Sequence, residues 1–222
     1  MESFDSIFQR AAKRKGGVAE LEALLPVALS QAQLKRLQDA AVLAEMTKCV
    51  FRSGFVWKVI ENKWPGFETA FDHFDVTTCA MLSDEDLEHL TGNEAIVRHA
   101  KKIVSVRDNA RYVLEVREEY GSFGRFLAQW PADDFIGLWD ELKRNGSRLG
   151  GQTGRYFLRF IGRDTPMLSA DVVKALVELG VVDKAPTSKA ALQATQQAFV
   201  SWQLESGRSF CQLSRVLACS VP

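Results

Sequence analysis

The sequence predicts an all-α protein, a two-lobed helical bundle, and three observations carry that prediction. Apolar residues recur three, four or seven positions apart through most of the chain. Strand-like alternation bounded by turn residues is scarce, and no repeat of roughly twenty to fifty residues is visible. The periodic stretches are separated by helix breakers at Gly92, Gly121, Pro131, Gly146 and Gly180.

Taken in order, the first segment holds Arg10, Lys13, Arg14 and Lys15 before Gly16-Gly17, which reads as a flexible arm or a short peripheral helix. Leu34, Leu37, Ala41 and Ala44 place a helix in residues 30–53. Another falls in 83–90. Ile96, Ala100, Ile103, Ala110 and Leu114 mark a long helix behind a cap at Asn93. Further helices are predicted in 133–143, 170–179 and 188–205, for roughly nine or ten in all when shorter ones are counted. Residues 1–29 are set apart as an arm with short helices, and 30–222 as the main domain, its two lobes carrying a helical hairpin at about 143–163. The last segment, 184–222, is expected to form two helices that close one lobe.

With 222 residues, 46% hydrophobic content and only six prolines, the chain is long enough to bury a large core. Its N-terminus carries acids and no apolar signal-peptide core, and no stretch reaches the ~18 apolar residues of a membrane span. The expected location is the cytoplasm, with no membrane partner. Cys49, Cys79, Cys211 and Cys219 show no paired short spacing, which argues against an iron-sulfur cluster or a cysteine-rich zinc module.

Formal charge sums to zero, yet residues 143–163 contain Lys143, Arg144, Arg148, Arg155, Arg159 and Arg163 and no acid. Neutralising phosphates requires only such a local basic face. The same stretch holds the glycine turn Leu149-Gly150-Gly151-Gln152-Thr153-Gly154. A glycine turn between two helices lets the backbone approach a phosphate and offers amide donors at a helix N-terminus, where the dipole favours an anion. Gly150, Gly151, Gln152, Thr153, Gly154, Arg148 and Arg155 are therefore the candidate DNA-binding residues. Twenty residues after Gly151 stands Asp171, a carboxylate near a helix start.

A glycine hairpin followed by an aspartate resembles the helix-hairpin-helix DNA glycosylase superfamily, and other segments resemble the DNA-3-methyladenine glycosylase I family. Ile96-Val97-Arg98-His99-Ala100-Lys101-Lys102-Ile103 with Asn109-Ala110-Arg111 is similar to one helix of that family, and Phe74-Asp75, Ala80-Met81, Asp86, Glu88 and Leu90 to the segment before it. Ser53-Gly54-Phe55-Val56-Trp57 resembles its small-Gly-hydrophobic-x-Trp loop, and Gly151-Gln152-Thr153 with Tyr156 its hairpin. The likeness covers roughly residues 40–180. It departs from the family at the zinc clasp, at the base-reading glutamate and at a pocket tyrosine, which has no counterpart before Ser30. The position that would match a zinc-clasp histidine is Val172 and no cysteine precedes Cys49, so no metal or other cofactor is expected; the family's base-reading glutamate aligns with Cys49.

What the resemblance implies is a monofunctional glycosylase that excises alkylated purines such as 3-methyladenine from double-stranded DNA, acting as a monomer. A damaged base must leave the stack to be reached, so a wedge and a pocket are required. Phe55 is the candidate wedge; Trp57, an electron-rich indole suited to a cationic purine, and Cys49 are the candidate pocket residues. Asp171 is the candidate catalytic carboxylate, placed to stabilise the cationic sugar and orient water. Lyase chemistry needs an amine nucleophile after the hairpin glycines, where this chain has Thr153 and Arg155. His99 is assigned a structural role, and Asp164 a loop-capping or arginine-pairing one. The alternative reading is a non-catalytic protein that keeps the hairpin to bind damaged or distorted DNA.

Overall fold

The computed structural model describes residues 2–222, and no strand occurs among them. The helices are α1 (Phe4–Lys15), α2 (Val18–Glu22), α3 (Gln31–Leu34), α4 (Asp39–Arg52), α5 (Trp57–Ala70), α6 (Val76–Ala80), α7 (Asp84–Gly92), α8 (Ala100–Tyr120), α9 (Phe123–Gln129), α10 (Phe135–Asn145), α11 (Gln152–Phe160), α12 (Ala170–Glu178), α13 (Lys189–Ser206) and α14 (Phe210–Ser220), with a 3-10 turn at Asp72–Phe74. The all-α prediction holds, but with more and shorter helices than the nine or ten expected.

The differences have local causes. The single helix expected in 30–53 is two, because Ser30 and Gln33 form a reciprocal capping box that starts α3, and the chain turns again before α4. Asn93 does not begin the long helix. It closes α7, and its side chain accepts from the Ala95 amide at 2.9 Å, which holds 93–95 in a turn. The helix starts after His99 instead. Of the two forms expected for the N-terminal segment it takes the helix: Ser3 caps it, and Phe4, Ile7, Phe8, Ala11 and Ala12 are buried.

The chain divides into two compact units. One comprises residues 2–29, Pro131–Leu138 and Gly162–Pro222, so it is built from three separate pieces of sequence. In it α14 packs against α1, α12 and α13, with Ile7, Leu176, Phe199, Trp202, Phe210 and Leu213 fully buried. The other comprises Ser30–Trp130 and Trp139–Ile161. There α4 packs against α8 and α11, burying Val42, Leu43, Met46, Phe51, Ile103, Val113 and Phe157. Burying each such side chain contributes about 1.5–3 kcal/mol, which makes the α4–α8–α11 junction a rigid base for whatever its helix ends present.

Candidate functional site

Helix α4 ends at Arg52, and its last carbonyls are held by a side chain from α8. The Lys102 ammonium donates to the Phe51 carbonyl at 3.2 Å and to the Ser53 carbonyl. Orphan carbonyls at a helix C-terminus require such donors. The chain then turns through Gly54, at φ 76°, and rises into α5. Phe55 lies under the Lys102 ammonium, 4.5 Å from its ring centre, and is 38% exposed, while Val56 at the tip is 70% exposed. The wedge candidate is thus half-supported from below, with a second apolar side chain beyond it.

The glycine hairpin is clamped from the same helix. Asn109 donates to the Ser147 carbonyl at 3.1 Å and accepts from the Ser147 amide at 2.7 Å, so one side-chain amide fixes the turn between α10 and α11. Arg148 follows in the left-handed region at φ 63°, exposed to solvent. Gly151 stands at φ 61°, ψ −134°, a conformation that only glycine adopts readily, and precedes α11 without supplying a side-chain cap. Gly154 permits a close approach: a Cβ there would lie 2.1 Å from the Leu149 carbonyl oxygen.

Between these two segments lies a cavity of about 250 Å³, lined by Cys49, Arg52, Ser53, Gly54 and Trp57 on one side and by Gln152, Thr153, Tyr156 and Phe160 on the other. An adjoining cavity of about 310 Å³ is lined by Val50, Ser53, Arg148, Gly150 and Thr153. Two pocket candidates from the sequence, Cys49 and Trp57, therefore meet the hairpin residues Gln152 and Thr153 at one place.

The walls are aromatic. Tyr156 and Phe160 stack at 5.6 Å, and Trp57 meets both edge-on, at 5.5 and 5.9 Å. The indole is already engaged by a cation: the Arg52 guanidinium sits 5.0 Å from the Trp57 ring centre and 5.2 Å from that of Phe160. Arg52 pairs through Nε with Glu61 at 3.1 Å and through Nη2 with the same carboxylate, and its Nη1 lies 3.6 Å from Glu45. Burial pushes the Glu45 carboxyl above its ordinary range, and Cys49 donates its thiol to it at 3.4 Å. Burial and the neighbouring Glu45 together push the Cys49 thiol well above its ordinary range, so it is an un-ionised donor, not a nucleophile.

The basic run is less uniform in space than in sequence. Lys143, Arg144 and Arg148 are exposed, and Arg144 is paired with Asp140 and Glu141 at 3.3 and 3.4 Å. Arg155 is turned inward, its guanidinium 4.1 Å above the Trp139 ring, and burial lowers its pKa to about 10. Arg163 is buried and donates to the Pro131 carbonyl at 3.2 Å.

Asp171 belongs to the other unit. It is exposed in the first turn of α12, whose cap is Ser169. Asp164 of the same unit accepts from the Phe210 and Cys211 amides at 2.9 and 2.8 Å and so caps α14. Among the described residues no three His, Cys, Asp or Glu side chains gather into a metal-holding group. Sequence reasoning missed Arg52 and Phe160 as pocket residues, and Glu45, which holds Cys49 and Arg52 from behind. One signal was available: 45, 49 and 52 are spaced to share a face of α4.

A model of the methyladenine glycosylase family matches residues 34–149, just over half of the chain, ending before α11 and Asp171. DNA-3-methyladenine glycosylase 1 of Escherichia coli K12 is 29% identical over 76 residues, which are 34% of this chain and 41% of that protein. The chain thus spans less than half the length of the curated relative it matches. A crystal structure of 3-methyladenine DNA glycosylase I superposes with a TM-score of 0.50 at 22% identity, covering 56% of this chain and 79% of that one. The Staphylococcus aureus enzyme, solved to show how it recognises 3-methyladenine, gives 0.50 at 25% identity, covering 56% and 77%.

Proposed function

This chain belongs to the methyladenine glycosylase family, and from that premise we propose that it is a monofunctional DNA N-glycosylase that removes alkylated purines, such as 3-methyladenine, from duplex DNA. The observation that carries the reading is the cavity in which Cys49 and Trp57 face Gln152 and Thr153 of the glycine hairpin. It joins an aromatic-walled space to a helix start suited to phosphate, which is what extruding a nucleotide from a duplex demands.

In this mechanism the amides after Gly151 and the exposed Arg148 hold the backbone beside the lesion, as a monomer needs no second subunit to do. Phe55, with Val56 ahead of it, fills the gap left by the flipped nucleotide. Trp57, Tyr156 and Phe160 flank the base. As the bond from C1′ to the purine nitrogen breaks, positive charge develops on the sugar, and the Asp171 carboxylate stabilises it and orients the attacking water. After the hairpin glycines the chain has Thr153 and Arg155 and no amine nucleophile, which supports hydrolysis without a Schiff base. No helix is long and apolar enough to cross a membrane among the described residues, and we propose a cytoplasmic site of action.

The test is single-turnover release of free bases from methylated duplex DNA by wild type and Asp171→Asn in parallel. Release of a methylated purine that falls by about a hundredfold or more in the variant is expected, the scale of a positioned acid–base group. Equal release from both proteins would remove Asp171 from the mechanism. Tight binding to damaged duplex with no release from either would assign the chain to the non-catalytic class instead.

A further inference from the structure

Helix α8 carries two polar side chains that its packing does not need. Lys102, Val106, Asn109 and Val113 stand three or four residues apart along one face, and the two polar members are 3% and 1% exposed. Buried polar groups are costly unless hydrogen-bonded, and apolar residues would fill the same face without that demand. Both are satisfied by the backbone of a loop. Lys102 donates to the Phe51 and Ser53 carbonyls and lies 4.5 Å from the Phe55 ring centre, at the foot of the loop that presents the wedge candidate. Asn109 takes the amide and the carbonyl of Ser147 at the foot of the glycine hairpin, and the Ser147 hydroxyl donates to Asp108 at 3.1 Å.

From Lys102 to Asn109 is two helical turns, so the two side chains leave α8 on the same side, about 10 Å apart along its axis. Each loop is fixed at its foot, and beyond the foot the two differ. The hairpin has no slack: a Cβ at Gly146 would lie 2.6 Å from Leu149 Cδ1, and one at Gly154 would lie 2.1 Å from the Leu149 carbonyl oxygen. The wedge loop has open space, since a Cβ at Gly54 would meet nothing within 4 Å and Val56 is 70% exposed. The hairpin therefore keeps its shape by its own packing, whereas the direction of Phe55 depends on what holds Ser53.

We propose that α8 is a spacer: through Lys102 and Asn109 it fixes how far the wedge loop stands from the hairpin, so that seating a phosphate on the hairpin drives Phe55 into the base stack. The proposal rests on the glycosylase reading above and adds two positioning residues to it. Opening a base step costs free energy, and the phosphate contacts can offset that cost only if grip and wedge are rigidly joined. A wedge loop free to tilt would let the grip form with Phe55 withdrawn. Misplacing a group by about 1 Å from a distance can slow a reaction by about a hundredfold, so a spacer of this kind acts on the rate more than on binding.

The test uses the full chain, wild type, Lys102→Met, Asn109→Ala and the double variant, at a temperature where all are folded. Two readouts are taken. Single-turnover release of bases from methylated duplex, across protein concentrations, separates the maximal rate from the half-saturating concentration. The fluorescence of 2-aminopurine placed beside a tetrahydrofuran abasic analogue reports a wedge entering the stack and needs no chemistry. Each single variant is expected to lower the maximal rate by about tenfold or more and to lose most of the fluorescence change, with half-saturation within about twofold of wild type. The two losses should not multiply: once one loop is loose, freeing the other changes little, so the double variant should be about as slow as the slower single one.

Losses that multiply in the double variant overturn the proposal, because Lys102 and Asn109 would then be two separate local supports. So does a half-saturating concentration that rises while the maximal rate holds. Should a buried substitution unfold the protein, one glycine inserted between Gly54 and Phe55 decides in its place: it leaves α8 and both its contacts intact but frees the wedge, and a wild-type rate and fluorescence change in that variant overturn the proposal. If wild type releases no base yet changes the fluorescence, and the variants lose that change, the spacer stands while the glycosylase reading fails. If wild type does neither, there is no wedge to position, and the proposal falls.

Discussion

Lys102 shows how one side chain ties the fold to the site. The residue is 3% exposed, and its ammonium faces the Phe55 ring and closes the end of α4 through the carbonyls of Phe51 and Ser53. Burial, with the Arg148 charge adding to it, lowers its pKa from 10.5 to about 8. The native state therefore releases this proton near pH 8, while the unfolded chain keeps it until about 10.4, so the unfolded state binds more protons across that window. Stability relative to Lys102→Met should then rise as pH climbs from 8 towards 10, and be flat in this difference between pH 6 and 7. Urea unfolding midpoints of the two proteins across that range would check it; a difference that shrinks with pH would show that the ammonium is stabilised in the folded state. The motif around Lys102 was visible in the sequence. Its role was not, because the carbonyls it serves lie about fifty residues earlier in the chain, and no local pattern announces them.

At the scale of elements, the hairpin from α10 to α11 was the most legible part of the chain, since glycine density and an acid-free basic run are both local properties. Direction was not legible. Arg148 and Arg155 look equivalent as sequence, flanking the same glycines, yet one is exposed in a left-handed turn and the other lies on Trp139. What separates them is the Trp139 ring of α10, which takes the Arg155 guanidinium, while Arg148 stays in the turn before α11. The two should accordingly fail in different ways. Arg148→Gln is expected to flatten the dependence of duplex affinity on salt, reducing the log–log slope by about one, the mark of one lost phosphate contact. Its unfolding midpoint should stay near wild type. Arg155→Gln should lower stability by about 1–2 kcal/mol through the lost cation–π and stem packing, and leave the salt slope alone. Titrating affinity against potassium chloride for both variants distinguishes these outcomes, and matching slope changes would put Arg155 on the DNA as well.

Across the whole molecule, helical class and most helix positions followed from periodicity, but the assembly of one unit from three separate pieces of sequence could not. The α1–α14 packing joins residues about two hundred positions apart, and the buried face of α1 was compatible in sequence with an isolated peripheral helix. That unit also contains two carboxylates seven residues apart, to which the sequence assigns different roles, Asp171 to the reaction and Asp164 to capping or arginine pairing. Asp164 carries two amides of α14 at 2.9 and 2.8 Å, where Ser209 supplies no side-chain cap. Asp171 is exposed in a first turn already capped by Ser169. Removing the first leaves two helix-start donors without their acceptor, so Asp164→Ala should cost about 1–3 kcal/mol in global stability. Removing the second forfeits only a favourable helix-dipole interaction, so Asp171→Asn should cost under about 1 kcal/mol. Paired with base release at a temperature where both variants remain folded, the two form a crossed comparison: Asp164→Ala is expected to be unstable but active, Asp171→Asn stable but slow. If Asp171→Asn instead loses stability in proportion to its activity, the aspartate serves its helix and the carboxylate of the reaction lies elsewhere.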